Sequence, residues 1–205
     1  MFIKASSMIG LILLLTACGG GLSDFVRPDE SKIVIGESTS ADIVTQLQRE
    51  PDATGNKLVN NTMLNQLEYA YLVNDNATSD TPDEAGFIAV KGQMYYLNAN
   101  VLVGSDYYST FANDSTKFDV SKITSIVEGK STKSDVIKLL GRPSIVMVQP
   151  MISKDSIGAI GYHYRTMNLG TPGKLRTTVD RLVVEYDKKN IVTKVTFESK
   201  SDKTA

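Results

Sequence analysis

Two short stretches of the chain carry an amphipathic helical pattern, and each opens on a hydroxyl and a carboxylate three residues apart. In "STKSDVIKLLGRP", residues 131–143, Val136, Leu139 and Leu140 fall on one helical face. Thr132 is placed to be the N-cap, with Asp135 completing a capping-box-like pair. Gly141 stands where a helix ends, and Pro143 bars its resumption. Gly129, just ahead of the helix, is free to take a positive φ. The earlier stretch, "STSADIVTQLQREP", repeats the pattern with Thr39, Asp42, Ile43 and Leu47. It has Gln48 where the later one has Gly141, so its helix end is less well specified.

Each helix is followed by segments with the period of two expected of strands. "LEYAYLV" (67–73) and "IGYHYRT" (160–166) alternate, so Tyr69 and Tyr71 share a face, as do Tyr162 and Tyr164. "RLVVEYD", "KKN" and "IVTKVTFES" (181–199) read as a hairpin with Asn190 in the turn. "GFIAV" and "MYYLNANVLV" are the corresponding strands of the first half, with a turn expected near Gly92. "NDNATSDTPDEAG" (74–86) and "MNLGTPGKLRT" (167–177) read as loops.

The two halves are one pattern written twice. At an offset of 93 residues Ser38, Thr39, Asp42, Ile43 and Leu47 fall on Ser131, Thr132, Asp135, Val136 and Leu140. Leu67, Tyr69 and Tyr71 fall on Ile160, Tyr162 and Tyr164 at the same offset. Repetition in two separate elements at one register points to a duplicated module of roughly ninety residues. The expected organisation is a module at 31–112, a linker at 113–119, a second module at 120–199 and a polar tail at 200–205. The expected fold class is α+β, with short helices on a three-stranded antiparallel sheet in each module.

The front end reads differently. Met1–Lys4 carry one positive charge, and "MIGLILLL" (8–15) is an apolar run too short to span a bilayer. "LTAC" follows, matching a bacterial lipobox with Leu15, Thr16, Ala17 and Cys18. Residues 1–17 are therefore expected to be a lipoprotein signal peptide, and residues 18–30 the lipidated Cys18 and a flexible tether. A diacylglycerol and an N-acyl chain on Cys18 would anchor the chain to a membrane, at about 0.8 kcal/mol per buried CH₂. Gly19 at the following position favours the outer membrane, with the body in the periplasm.

Charge narrows the remaining chemistry. The 22 Lys and Arg nearly balance the 23 Asp and Glu, so nothing forces a nucleic-acid surface. Cys18 is the only cysteine, and His163 the only histidine. Neither a metal cluster nor a thiol–imidazole pair can be assembled from that set, no phosphate loop follows a strand, and no small-molecule substrate is indicated. His163 alternates with Tyr162 and Tyr164, which places it on the other sheet face as a surface or interface residue. Hydrolase chemistry would need a titratable pair in a deep pocket.

The tyrosines are the candidate binding residues. Tyr69, Tyr71, Tyr162 and Tyr164 either pack beneath the helices or form an aromatic strip on the open sheet face. Tyr95, Tyr96, Tyr107 and Tyr108 come as adjacent pairs, so one of each pair must point away from a one-sided core. Arg165 ends the "YHY" strand as a further candidate contact.

Taken together, Gly129, Ser131, Asp135, Val136, Leu139, Leu140, Gly141 and Pro143, the Tyr162/Tyr164 strand and the closing hairpin resemble the SmpA/OmlA (BamE-like) lipoprotein domain. The second copy carries the fuller match, and the first lacks "LLG". The tandem arrangement is also similar to the two-repeat architecture of the β-lactamase inhibitor protein. The first resemblance implies a non-catalytic scaffold in outer-membrane protein assembly, with the β-barrel assembly machinery as a possible partner. The second implies a module that grips an enzyme on a concave surface made by both repeats. No cofactor is implied by either.

Overall fold

A computed structural model of the chain describes residues 24–73, 80, 87–170 and 174–201. The expected signal segment, the lipobox and Cys18, and residues 74–79, 81–86, 171–173 and 202–205 lie outside the described residues.

Strands dominate, which corrects the expected α+β class. Among the described residues there are eight: β1 (Ala53–Val59), β2 (Thr62–Val73), β3 (Phe87–Asn98), β4 (Val101–Ser109), β5 (Ile145–Met147), β6 (Gly158–Gly170), β7 (Lys174–Tyr186) and β8 (Val192–Ser201). Against these stand two helices of two turns, α1 (Ser40–Leu47) and α2 (Lys133–Leu140), and a 3-10 helix at Val120–Ser125. The strands form one antiparallel sheet in chain order, not two three-stranded sheets. Each repeat supplies four strands, and β5 joins the halves by pairing with β4 through Gly104–Asp106 and with β6 through Ala159–Gly161. Phe87 and Ile88 of β3 also pair with Asn168 and Met167 of β6. That extra pairing closes β3, β4, β5 and β6 into a small barrel, so the sheet curls toward one face.

Three expected boundaries move for identifiable reasons. β1 has few apolar residues to betray it, and its pairing with β2 is fixed by the Asn60–Asn61 turn, with φ of 48° and 63°. Gly92 lies in the middle of β3, not at a turn, because the Tyr108 ring occupies the space a side chain would need: a Cβ there would sit 2.5 Å from Tyr108 Cζ. The real turn is Ala99–Asn100, with φ of 47° and 66°. Residues 167–170 and 174–177, expected to be loop, extend β6 and β7 as paired strands, and residues 171–173 lie outside the described residues.

The duplication is visible in the backbone. Gly36 N–H donates to Leu102 O and Gly129 N–H donates to Val192 O, both at 2.8 Å, with φ of 87° and 75° at the two glycines. Leu102 N–H returns a bond to Ser38 O, as Val192 N–H does to Ser131 O. Ser38 Oγ accepts from Val34 N–H and Ser131 Oγ from Val127 N–H, both at 2.9 Å. The segment before each helix is thus clipped to the last strand of its own repeat. Both helices open with complete capping boxes, Thr39 with Asp42 and Thr132 with Asp135.

The helices cover the same sheet face. Ile43 of α1 is fully buried on Leu67, Tyr69, Tyr95 and Tyr107. Val136 of α2 is fully buried on Ile160, Tyr162, Leu182 and Val184. Burial of each such aliphatic side chain contributes about 1.5–3 kcal/mol. The opposite face fills the barrel with Ile88, Val90, Tyr108 and Met167, and beside them Ile145, Met147, Ile152 and Ala159. Residues 113–119 are stitched into this junction: Thr116 is buried, its Oγ1 donating to His163 O at 2.6 Å and its N–H to Ser109 O at 3.0 Å.

Candidate binding surfaces

The pleat decides where the tyrosines go. Tyr95 and Tyr107 point to the helix-bearing face, and Tyr96 and Tyr108 to the inner face, yet all four are buried. The expectation that one of each pair is exposed assumed a sheet with one wet face. Barrel closure and the 148–152 loop cover the second face as well. Tyr69 and Tyr162 are floors beneath α1 and α2, and burial pushes both phenols up to about 12. Tyr162 Oη donates to Gly141 O at 2.9 Å, tying the sheet to the end of α2. Tyr164 is buried and donates to Asp80, 3.0 Å away. Tyr71 is half-buried and stacks on Phe111 with ring centroids 5.6 Å apart. The sequence-named tyrosines therefore build cores.

The inner face instead presents a charged cluster shared by both repeats. Asp106 of β4 is 1% exposed. Its Oδ1 lies 2.6 Å from His163 Nδ1 of β6, and its Oδ2 accepts from Arg181 Nε of β7 at 3.1 Å. Burial by itself would raise the Asp106 carboxyl. The His163 ring and the Arg181 guanidinium outweigh it and hold the carboxyl down to about 2. His163 is consequently not the surface residue its alternation suggested: it is 6% exposed, with its ring 4.9 Å from that of Tyr108. Its Nε2 and the Nε of Arg165 are buried without hydrogen-bond partners. Arg165 is half-buried over the Tyr108 ring, 5.5 Å from its centroid.

Around this centre, register places Lys57 and Glu68 of the first repeat and Val179, Arg181 and Glu198 of the second on the same face. Lys57 Nζ rides 4.7 Å above the Tyr96 ring; burial, then the nearby Arg181 charge, lowers its pKa. Burial raises that of Glu68. The hairpin of β1 and β2 is fastened across the molecule, Asn60 Nδ2 donating to Pro150 O at 2.9 Å and Ile152 O at 3.2 Å. The result is a concave face with a buried ionic centre and half-buried charges on both flanks.

A second feature lies on the helix-bearing side, between the repeats. A groove of about 390 Å³ is lined by Arg27, Asp114, Lys117, Leu140, Arg142 and Tyr162, among others. Arg27 Nη2 donates to Pro143 O at 2.6 Å and meets Glu30 at 3.2 Å; Arg142 reaches the same Glu30 oxygen at 3.2 Å. Burial, and then the neighbouring Arg142 charge, lowers the Arg27 pKa. The segment leading in from the N-terminus is itself docked. Asp24 pairs with Lys91, whose Nζ sits among the Phe25, Tyr71 and Phe111 rings at 5.4, 5.5 and 4.8 Å.

A His–Asp pair can orient an imidazole as a base. Here no hydroxyl or thiol among the described residues lies within hydrogen-bond reach of His163 Nε2, and the groove on the helix-bearing side does not reach it. What the cluster does is clamp β4 of one repeat to β6 and β7 of the other. Asp106 and Arg181 were not singled out by sequence reasoning. The signal was a carboxylate inside an otherwise strand-like run, "LVGSDYYS", but only the register reveals its partners.

No family model matches the chain, and a search of curated proteins finds no match. Among solved structures, one from Streptococcus mutans, provisionally named a beta-lactamase inhibitor protein, is similar at a TM-score of 0.42 and 12% identity, covering 82% of this chain and 91% of that one. At that level the likeness carries no inference of its own.

Proposed function

We propose that the protein is a lipid-anchored, non-catalytic binding module that grips an extracytoplasmic protein on its concave face. The observation that carries this is the sharing of one concave surface by both repeats: Lys57 and Glu68 come from the first, Arg165, Arg181 and Glu198 from the second. Charged side chains over a rigid, buried floor confer partner selectivity more than raw affinity. The anchor is read from the "LTAC" motif, and Gly19 favours the outer membrane. A tether raises the effective concentration of the module at the membrane.

The test is photo-crosslinking in cells. A crosslinking residue at Thr196, exposed on the concave face, should capture one defined protein other than this chain, and one at Lys138 on α2 should capture no such protein. Capture of an enzyme supports the inhibitor-like form. Capture of barrel-assembly components from the same position supports the assembly-scaffold form that the BamE-like resemblance implies. Capture of a protein other than this chain from Lys138 alone would overturn the concave-face reading. Lipidation is tested separately, by loss of palmitate labelling in Cys18→Ser.

A further inference from the structure

The two repeats keep the same backbone but invert their surface charge. At the offset of 93 residues, Asp24 becomes Lys117, Asp29 becomes Lys122 and Glu37 becomes Lys130. All six residues are exposed on the segments that precede the helices. The inversion is broad: residues 24–52 carry three cations against seven carboxylates, and residues 117–142 six cations against three. Some of these charges are already spent, since Asp24 pairs with Lys91 and Lys122 lies 3.9 Å from Asp119. Glu37, Lys117 and Lys130 form no ion pair among the described residues. The basic patch continues into the groove, where Arg27 and Arg142 both reach the same Glu30 carboxylate oxygen at 3.2 Å.

An acidic patch and a basic patch thus occupy equivalent positions on one side of the same molecule. A two-fold axis along that side, between the repeats, lays the acidic patch of each copy on the basic patch of the other. This is the self-complementarity that an isologous dimer requires. We propose that the helix-bearing side is a self-association surface, and that its partner is a second copy of this chain. The dimer leaves both concave faces outward, so two partners could be held by one membrane-tethered pair. The proposal does not depend on what the concave face binds.

Sedimentation velocity on the chain from residue 19, which retains every described element, tests it. At about 100 μM, the dimer should be present near 50 mM salt, and its dissociation constant should rise by at least about tenfold near 500 mM, where the Debye length has shrunk to a few Å. Lys117→Glu with Lys130→Glu should be monomeric, as should Asp29→Lys with Glu37→Lys, each with an unchanged melting temperature as the check on folding. Mixing the two variants should restore a dimer, because one variant then carries two acidic patches and the other two basic ones, so both contacts between them are of opposite charge. A monomeric wild type at low salt, a dimer indifferent to both salt and charge reversal, or a mixture that stays monomeric would each overturn the proposal.

Discussion

Replacing Asp106 by Ala should be the most informative change in the molecule. It removes the acceptor of a 2.6 Å contact with His163 Nδ1 and a 3.1 Å bond from Arg181 Nε, from a site that is 1% exposed. Removing one member of a buried ionic cluster costs about 3–5 kcal/mol, because the partners stay behind uncompensated. The Arg181 side chain is 27% exposed and can relax toward water and Glu198, so the low end, about 3 kcal/mol, applies. The pH dependence supplies a second magnitude. The folded Asp106 titrates at about 2, against an ordinary value of 3.8. A depressed carboxyl stabilises the fold above its unfolded pKa, and that contribution disappears as pH falls through the folded one. A shift of about two units amounts to roughly 2–3 kcal/mol, lost between about pH 4 and pH 2. Urea denaturation of wild type and Asp106→Ala across pH 7 to 2 reads both. The stability gap should be about 3 kcal/mol at neutral pH and shrink to about 1 near pH 2. A gap under 1 kcal/mol at pH 7, or one that does not change with pH, would refute the clamp.

Three further changes probe separate devices. Gly92→Ala would put a Cβ 2.5 Å from Tyr108 Cζ, and the ring, buried in the barrel, can move only by disturbing Ile88, Val90 and Met167; a loss of about 1–3 kcal/mol is expected by chemical denaturation. Gly141→Val meets nothing within 4 Å, yet φ of 86° with ψ of −159° is a glycine-only conformation, so strain alone should cost about 1–3 kcal/mol, read as a lower melting temperature. Thr132→Ala removes one half of a capping box and should lower stability by about 1 kcal/mol; no change in the melt would mean that the first turn of α2 is held by other contacts.

What was legible in the sequence is what is local. Thr39 with Asp42 and Thr132 with Asp135 carry their helix starts within four residues, and Asn190, at φ 60°, closes its hairpin within five. The barrel could not be read that way. It depends on β5, only three residues long, and on the meeting of Phe87 and Ile88 with Asn168 and Met167, some eighty positions away. Missing that closure is what turned Tyr96 and Tyr108 into expected surface residues and hid the partners of Asp106. Two-sided burial also explains why the strands resisted counting. β3 and β4 are apolar or aromatic on both faces, so the alternation that reveals a half-exposed strand is absent there. β1, an exposed edge, has too few apolar residues to alternate at all.

The duplication itself follows a physical division of labour. Residues that fix the backbone are the same in both halves: the positive-φ Gly36 and Gly129, the Ser38 and Ser131 hydroxyls that receive Val34 and Val127 N–H, and the tyrosine floors Tyr69 and Tyr162. Change concentrates where the halves meet or face outward. Tyr71, opposite Lys91 in the register, stacks on Phe111; Tyr164, opposite Asp180, has its hydroxyl on Asp80. Asp106 and His163 differ from anything in their sister repeat because each is half of a contact between repeats. At the offset of 93 residues their sister positions are Ser199 and Ala70, which carry no charge, so the ionic contact exists once, at the seam. The same logic on the outer surface, Asp24, Asp29 and Glu37 against Lys117, Lys122 and Lys130, turns one chain into complementary halves.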